Sequence, residues 1–165
     1  MGKNKINLLF VDDEDQFLVS MGKRLEARGF RVLAVNRGEK AIETARAHPV
    51  DIALVDLKMP GMNGEETLKA LKQEHAWMEI VILTGHGSID SAVECTQSGA
   101  HSYLQKPCDL DQILEVLKEA YKKRVMNRHR IEEAQMAELL QGVNPCSPRD
   151  ILRRLKEIDK AAAGG

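Results

Sequence analysis

The sequence lacks the features that mark several function classes. Its charges nearly cancel: 24 Lys and Arg against 25 Asp and Glu leave a formal net charge of −1. Bulk charge therefore gives no reason to expect nucleic acid or an anionic membrane surface as a default partner. No apolar run approaches the roughly 20 residues that span a bilayer. The first run, Ile6 to Val11, has polar Asn7 inside it and acids after it. A signal peptide would place a small-residue cleavage site there, so a cytoplasmic protein is expected. The three cysteines, Cys95, Cys108 and Cys146, are an odd number with no close pairing. Reduced thiols are expected rather than a disulfide frame. The five histidines show no zinc spacing with them. Gly85-His86-Gly87 lacks the further glycines of a dinucleotide fingerprint, and there is no Walker motif. No internal repeat is visible beyond an alternation of two element types.

That alternation is what is present. The 165 residues, 43% hydrophobic and 30% charged, suffice for one sizeable domain with an appendage. Short apolar runs cover 6–11, 30–35, 51–56, 79–84 and 101–105. Several are apolar without strict alternation, the pattern of strands covered on both faces. Helical stripes lie between them. Phe17, Leu18, Met21 and Leu25 are followed by Gly29 as a helix end. Ala41, Ile42 and Ala45 run up to His48-Pro49, and Leu68 and Leu71 mark a third stripe. Ile89, Ala92, Val93 and Thr96 form a fourth, capped by Ser88 and ended by Gly99. Leu110, Ile113, Leu114, Leu117 and Tyr121 form a fifth. Five strand–helix units in strict alternation predict a doubly wound α/β fold, with a parallel sheet between two helical layers. Ligands of such sheets bind beyond the carboxyl ends of the strands.

Polar residues collect at those ends. The first strand runs into Asp12-Asp13-Glu14-Asp15, the third ends at Asp56, the fourth at Thr84, and the fifth is followed by Lys106-Pro107. Glu14 and Asp15 are expected to begin the first helix, where its dipole favours negative charge. Three carboxylates in one pocket repel: a like pair at about 4 Å is worth roughly 4 kcal/mol at an effective dielectric near 20. Either one takes up a proton or a cation enters. All-oxygen ligands suit Mg²⁺, which commonly takes one or two carboxylates plus water and phosphate oxygens. With a lysine, a hydroxyl and a free carboxylate, the set suits phosphoryl transfer. Asp12 and Asp13 are read as metal ligands and Asp56 as the nucleophile of an aspartyl-phosphate. Thr84 and Lys106 would engage the phosphoryl oxygens.

In order and setting, "FVDDED", "LVDLKMPGMNG", "ILTGHGS" and "SYLQKP" resemble the receiver domain of bacterial two-component response regulators, over residues 5 to about 122. The "TGHGS" stretch looks most like receivers of the nitrogen-regulatory class. The resemblance implies a flavodoxin-like (βα)5 domain with strand order 2-1-3-4-5. It implies phosphoryl transfer to Asp56 from a sensor histidine kinase or a histidine phosphotransfer protein. Mg²⁺ would be shared by Asp12, Asp13, Asp56 and the backbone carbonyl of Lys58. Thr84 and Tyr103 would be the switch pair acting on the face formed by the fourth helix, fifth strand and fifth helix. Lys58 and His86 would tune the dephosphorylation rate. The Lys106-Pro107 bond would be cis, and Gly64 would be the glycine after the phosphorylation loop. Taken alone, His86 reads as a surface residue and Cys95 as helix packing.

Two other readings are open. Asp13-Glu14-Asp15 matches the opening of haloacid-dehalogenase-type phosphatases, but that motif gives Asp56 no role. Asp109 and Asp111 look like the start of the fifth helix rather than its further acidic motif. The other reading is a receiver-like interaction module that is never phosphorylated. The expected division is a receiver at 1–124 and a helical extension of unknown role at 125–165. In the extension, Met136, Leu139, Leu140 and Val143 line up. Ser147 and Pro148 open a last amphipathic helix bearing Ile151, Leu152, Leu155 and Ile158, with Asp150 at its capping-box position. Residues 122–160 hold ten basic against six acidic side chains. That mild excess reads as a solvated face, so DNA is not an expected partner. A homodimer could form through the switch face or the last helices. A chain continuing into a larger output domain is the alternative.

Overall fold

The computed structural model describes residues 4–141 and 148–163, apart from the side chains at 148–152, 154 and 163. The expected turn at 142–147, with Val143, Cys146 and Ser147, lies outside the described residues, as do the side chains of Asp150, Ile151 and Leu152. Five strands, β1 (Ile6–Val11), β2 (Phe30–Val35), β3 (Ile52–Val55), β4 (Glu79–Thr84) and β5 (Ser102–Gln105), alternate with helices. The helices are α1 (Asp15–Ala27), α2 (Gly38–Ala47), α3 (Gly64–Glu74), α4 (Ile89–Gln97), α5 (Leu110–Gln141) and α6 (Pro148–Ala163). The strands pair in parallel in the order β2-β1-β3-β4-β5. The doubly wound flavodoxin-like topology is as expected.

The continuous apolar strands are explained by their two destinations. Alternate residues point to opposite faces. Leu9, Val11, Ala53, Val55, Ile80 and Ile82 meet the apolar stripes of α2 and α3 together with Cys95 of α4. Leu8, Phe10, Ile52, Leu54, Val81 and Leu83 meet those of α1 and α5. Burying each such side chain contributes about 1.5–3 kcal/mol, and truncating one, as in Leu54→Ala, costs about 2–5 kcal/mol. Gly29 and Gly99, both at positive φ, follow the ends of α1 and α4. Ser88 caps α4 as expected, and Asn63 caps α3, with its side chain accepting from the Glu66 N–H at 2.9 Å.

Helix α4 turns much of its apolar stripe away from the sheet: Ile89 is 84% and Val93 48% exposed. The fully buried side chain of α4 is Cys95. Ile89 and Val93 recur at helical spacing, but spacing defines a face and not its direction. The short, small-residue sector around Cys95 is the one that packs on the sheet.

The chain divides into two compact units, Met1–Val125 and Met126–Gly165. The boundary falls within α5, which continues as one helix to Gln141. In the second unit, Met136, Leu139 and Leu140 are partly exposed, and Leu155 and Ile158 of α6 are half-buried. Pro148 opens α6, as its fixed φ favours. No described helix is long and apolar enough to cross a membrane.

Candidate functional site

Parallel pairing brings the carboxyl ends of β1, β3 and β4 side by side. Val11 is in register with Val55, and Val55 with Ile82. The Asp56 N–H then donates to the Val11 carbonyl at 2.9 Å, setting Asp56 beside Asp12. Carboxylate oxygens of Asp12, Asp13 and Asp56 lie within 4.8 Å of one another. Asp12 and Asp56 are 1% and 3% exposed, Thr84 is fully buried, and Asp13 is exposed. One side of the cluster is therefore sealed by the sheet and the other is open.

Lys106, after β5, reaches across the strand ends. Its Nζ lies 2.7 Å from Asp12 Oδ2 and 3.7 Å from Glu14 Oε1. It also sits 4.2 Å from the centroid of the Phe17 ring, a cation–π contact. The Lys106–Pro107 peptide bond is cis. Asp12 Oδ1 accepts from the Glu14 N–H at 2.9 Å. Asp56 is less well served: its Oδ1 is buried without a hydrogen-bond partner. Burial, and next the Asp12 charge, push the Asp56 carboxyl up to about 6, against the lowering effects of Thr84 and Lys106. Burial also raises Asp12, although its bond to Lys106 opposes the rise. Burial alone would lower Lys106, but the Asp12 hydrogen bond and the charges of Asp12, Asp56 and Glu14 hold it above its ordinary value.

Three convergent carboxylates against one lysine leave the cluster short of positive charge. The orphaned Asp56 oxygen, the all-oxygen donor set and the open side at Asp13 fit a hard divalent cation. Lys58 and His86 line a surface pocket with Asp13, Glu14, Met59, Pro60 and Asn63, on that open side. Thr84 Oγ1 accepts from the His86 N–H at 3.1 Å. Gly64 lets α3 start against the Asp56 backbone: its N–H donates to the Leu57 carbonyl at 2.7 Å, and a Cβ there would press on the Asp56 carbonyl and approach Leu57 Cα to 2.7 Å. Tyr103 lies half-buried on β5, its hydroxyl 3.2 Å from Ser91 Oγ. Asp109 and Asp111 sit at the start of α5.

Two contacts were not foreseen. Lys106 is engaged by Asp12, since the sequence places both at strand ends but says nothing of which charges pair. Glu39 of α2 accepts from the Met62 N–H at 3.0 Å and tethers the loop after Asp56. Its signal was faint: an acid in the first turn of a helix whose start shares the sheet's carboxyl edge.

Residues 8–118 match the family model described as the response regulator receiver domain. The transcriptional regulatory protein ZraR of Klebsiella oxytoca is 37% identical over 120 residues, 73% of this chain and 27% of its own length. The chain thus spans about a quarter of that relative. A CheY-like receiver domain protein from Methanospirillum hungatei superposes with a TM-score of 0.73 at 27% identity, covering 75% of this chain and 99% of that one. The beryllofluoride-activated NtrC4 receiver domain dimer does so with a TM-score of 0.68 at 26% identity, covering 72% and 98%. With a family match over more than half of its length, this chain belongs to the response regulator receiver domains.

Proposed function

We propose that the chain is a phosphorylation switch in which Asp56 accepts a phosphoryl group from a phosphohistidine on a sensor kinase or phosphotransfer protein. The observation that carries this is the buried Asp56 oxygen, unpartnered where three carboxylates and a lysine converge. An Asp56 carboxylate oxygen attacks phosphorus, the O–P bond forms as the N–P bond breaks, and the imidazole leaves with the electron pair. Asp12, Asp13, Asp56 and the Lys58 carbonyl would hold Mg²⁺, which supplies the positive charge the site is short of. Lys106, held near Asp12, pairs with a phosphoryl oxygen, and Thr84 donates its hydroxyl to another. As the Thr84 side chain moves toward the phosphoryl group, the bond it accepts from the His86 N–H would lengthen, loosening the β4–α4 loop. Tyr103 follows, and the α4–β5–α5 face changes. Lys58 and His86, flanking the open side, tune how fast water removes the group.

The chemistry is stoichiometric rather than that of a turnover enzyme, and its setting is the cytoplasm. We assign residues 1–124 to the switch and 125–165 to a helical extension. The α4–β5–α5 face and the C-terminal helices are the two candidate surfaces for a second copy, and no DNA contact is assigned. The test is intact-protein mass after incubation with acetyl phosphate and Mg²⁺. One phosphoryl group on wild type and none on Asp56→Asn is expected. Equal labelling of the two would overturn Asp56 as acceptor, and repeated turnover of the donor without labelling would favour a phosphatase.

A further inference from the structure

Helix α2 contributes nothing to the acidic cluster, yet its amino end is built against the loop that follows Asp56. That loop, residues 57–63, hydrogen-bonds chiefly to α3, which it leads into. Among the described residues its one bond to a different element runs from the Met62 N–H to Glu39 Oε1, at 3.0 Å. The fit around that bond is close. A Cβ on Gly61, at φ +77°, would lie 2.9 Å from the same Glu39 oxygen. A Cβ on Gly38 would lie 3.1 Å from Met62 Cβ and press on Thr67 Oγ1, so α2 starts flush against the loop. At its other end α2 is fixed to α3 by Arg46, whose Nε and Nη2 both pair with the Glu74 carboxylate.

Packing and hydrogen bonding act differently on this loop. Leu57, Met59 and Met62 pack against the apolar cluster on one face of the sheet. That attraction is non-directional and does not fix which way a peptide plane turns. The Glu39 bond does fix one. Its acceptor stays charged, because the Glu39 N–H and next the Met62 N–H hold the carboxyl below its ordinary value. The loop held in this way lines the open side of the carboxylate cluster: Lys58, Met59, Pro60 and Asn63 share a surface pocket with Asp13. Asp13 in turn has a carboxylate oxygen within 4.8 Å of those of Asp12 and Asp56.

We infer that Glu39 is a positioning residue that holds the loop after Asp56 as a ready-made wall of the divalent-cation site and thereby raises the affinity for the cation. The inference rests on the cation reading above. Glu39 acts through the loop and is not itself a ligand. Without the tether the metal-free loop samples further arrangements, and the cation binds only the competent fraction. The apparent Kd then rises in inverse proportion to that fraction. The bond is exposed, so the lower part of the range for one net hydrogen bond applies, a change of about 2- to 5-fold.

The experiment titrates the full chain with Mg²⁺ by isothermal calorimetry at fixed ionic strength and follows amide hydrogen exchange at Met62 without metal. In Glu39→Ala, the Met62 N–H is expected to exchange faster and the Mg²⁺ Kd to rise by about 2- to 5-fold. Glu39→Gln removes the charge but keeps an oxygen acceptor in reach of the same N–H, and is expected to bring both readings back toward wild type. Position 39 is exposed and lies in the first turn of a helix, so both variants are expected to fold. Equal Kd values in wild type and Glu39→Ala would overturn the inference. So would a raised Kd with Met62 exchange unchanged, or a Glu39→Gln that matches Glu39→Ala, since the effect would then be one of charge and not of the tether. A wild type that takes up no Mg²⁺ would overturn the cation reading and this inference with it, whereas equal Kd values overturn this inference alone.

Discussion

The two ends of the sheet use the same kinds of residue to opposite effect. At the amino end, Asp51 accepts from the Asn7 N–H at 2.8 Å and meets Arg124 Nη2 at 3.1 Å. Glu79, almost fully buried, has Lys123 Nζ at 3.8 Å and His101 Nδ1 at 3.9 Å. Burial lowers His101, which therefore meets Glu79 chiefly as a neutral ring near neutral pH. Each carboxylate there has a permanent cation of α5 against it, Arg124 or Lys123, and Lys72 of α3 also lies near Glu79. At the carboxyl end, Asp12, Asp13 and Asp56 face one lysine. The amino end is balanced and holds α5 to the sheet. The carboxyl end is unbalanced, and its stored repulsion is what an incoming cation relieves. A buried acid therefore says little by itself; the local sum of charge separates structure from function.

Breaking the comparison should produce opposite signs. Arg124→Ala, which removes the cation of a partly buried pair and leaves Asp51 only the Asn7 N–H, should destabilise by about 1.5–3 kcal/mol. Asp56→Asn should instead stabilise, by on the order of 2–3 kcal/mol in metal-free buffer at pH 7.5. The sign follows from its shift: the folded carboxyl sits near 6 against an ordinary 3.8. Its contribution is fully present below the unfolded value and lost as pH rises through the folded one. The advantage of the asparagine should accordingly shrink toward zero at pH 4. Urea denaturation of both variants at the two pH values checks both signs, and an equal loss in both would erase the distinction.

Smaller effects sharpen it. Mg²⁺ at ten times its Kd should stabilise wild type by about 1.4 kcal/mol and leave Asp13→Asn nearly unmoved. A thermal shift series with Mg²⁺ reads this, and an equal shift in the variant would remove Asp13 from the ligand set. The smallest change is expected for Lys123→Gln. Lys123 is 52% exposed, meets Glu79 only at 3.8 Å, and its removal leaves Lys72 near that acid, so a loss under about 0.5 kcal/mol in the same urea assay is expected.

Much of this was legible before any coordinates. The unalternating apolar runs announced strands covered on both faces, and strand–helix alternation announced parallel pairing. Parallel pairing then obliges residues following different strands to meet at one edge. Asp12, Asp56 and Thr84 needed no more than that to converge. The direction of α4 was not legible, because periodicity describes a face without saying what lies opposite. Nor was the Asn63 cap, whose local preference is shared by many loop residues.

The sequence by itself determined the order of the elements, the two-faced core and the edge at which acids, hydroxyl and lysine collect. Those follow from periodicity and chirality, which are local properties summed along the chain. Only the tertiary structure decided that Lys106 is taken by Asp12, that one Asp56 oxygen is buried without a hydrogen-bond partner, and that Tyr103 lies by Ser91 over Gly87. Those are distances between residues far apart in the chain, and in a low-dielectric pocket a few ångströms decide which charge is satisfied and which awaits a ligand.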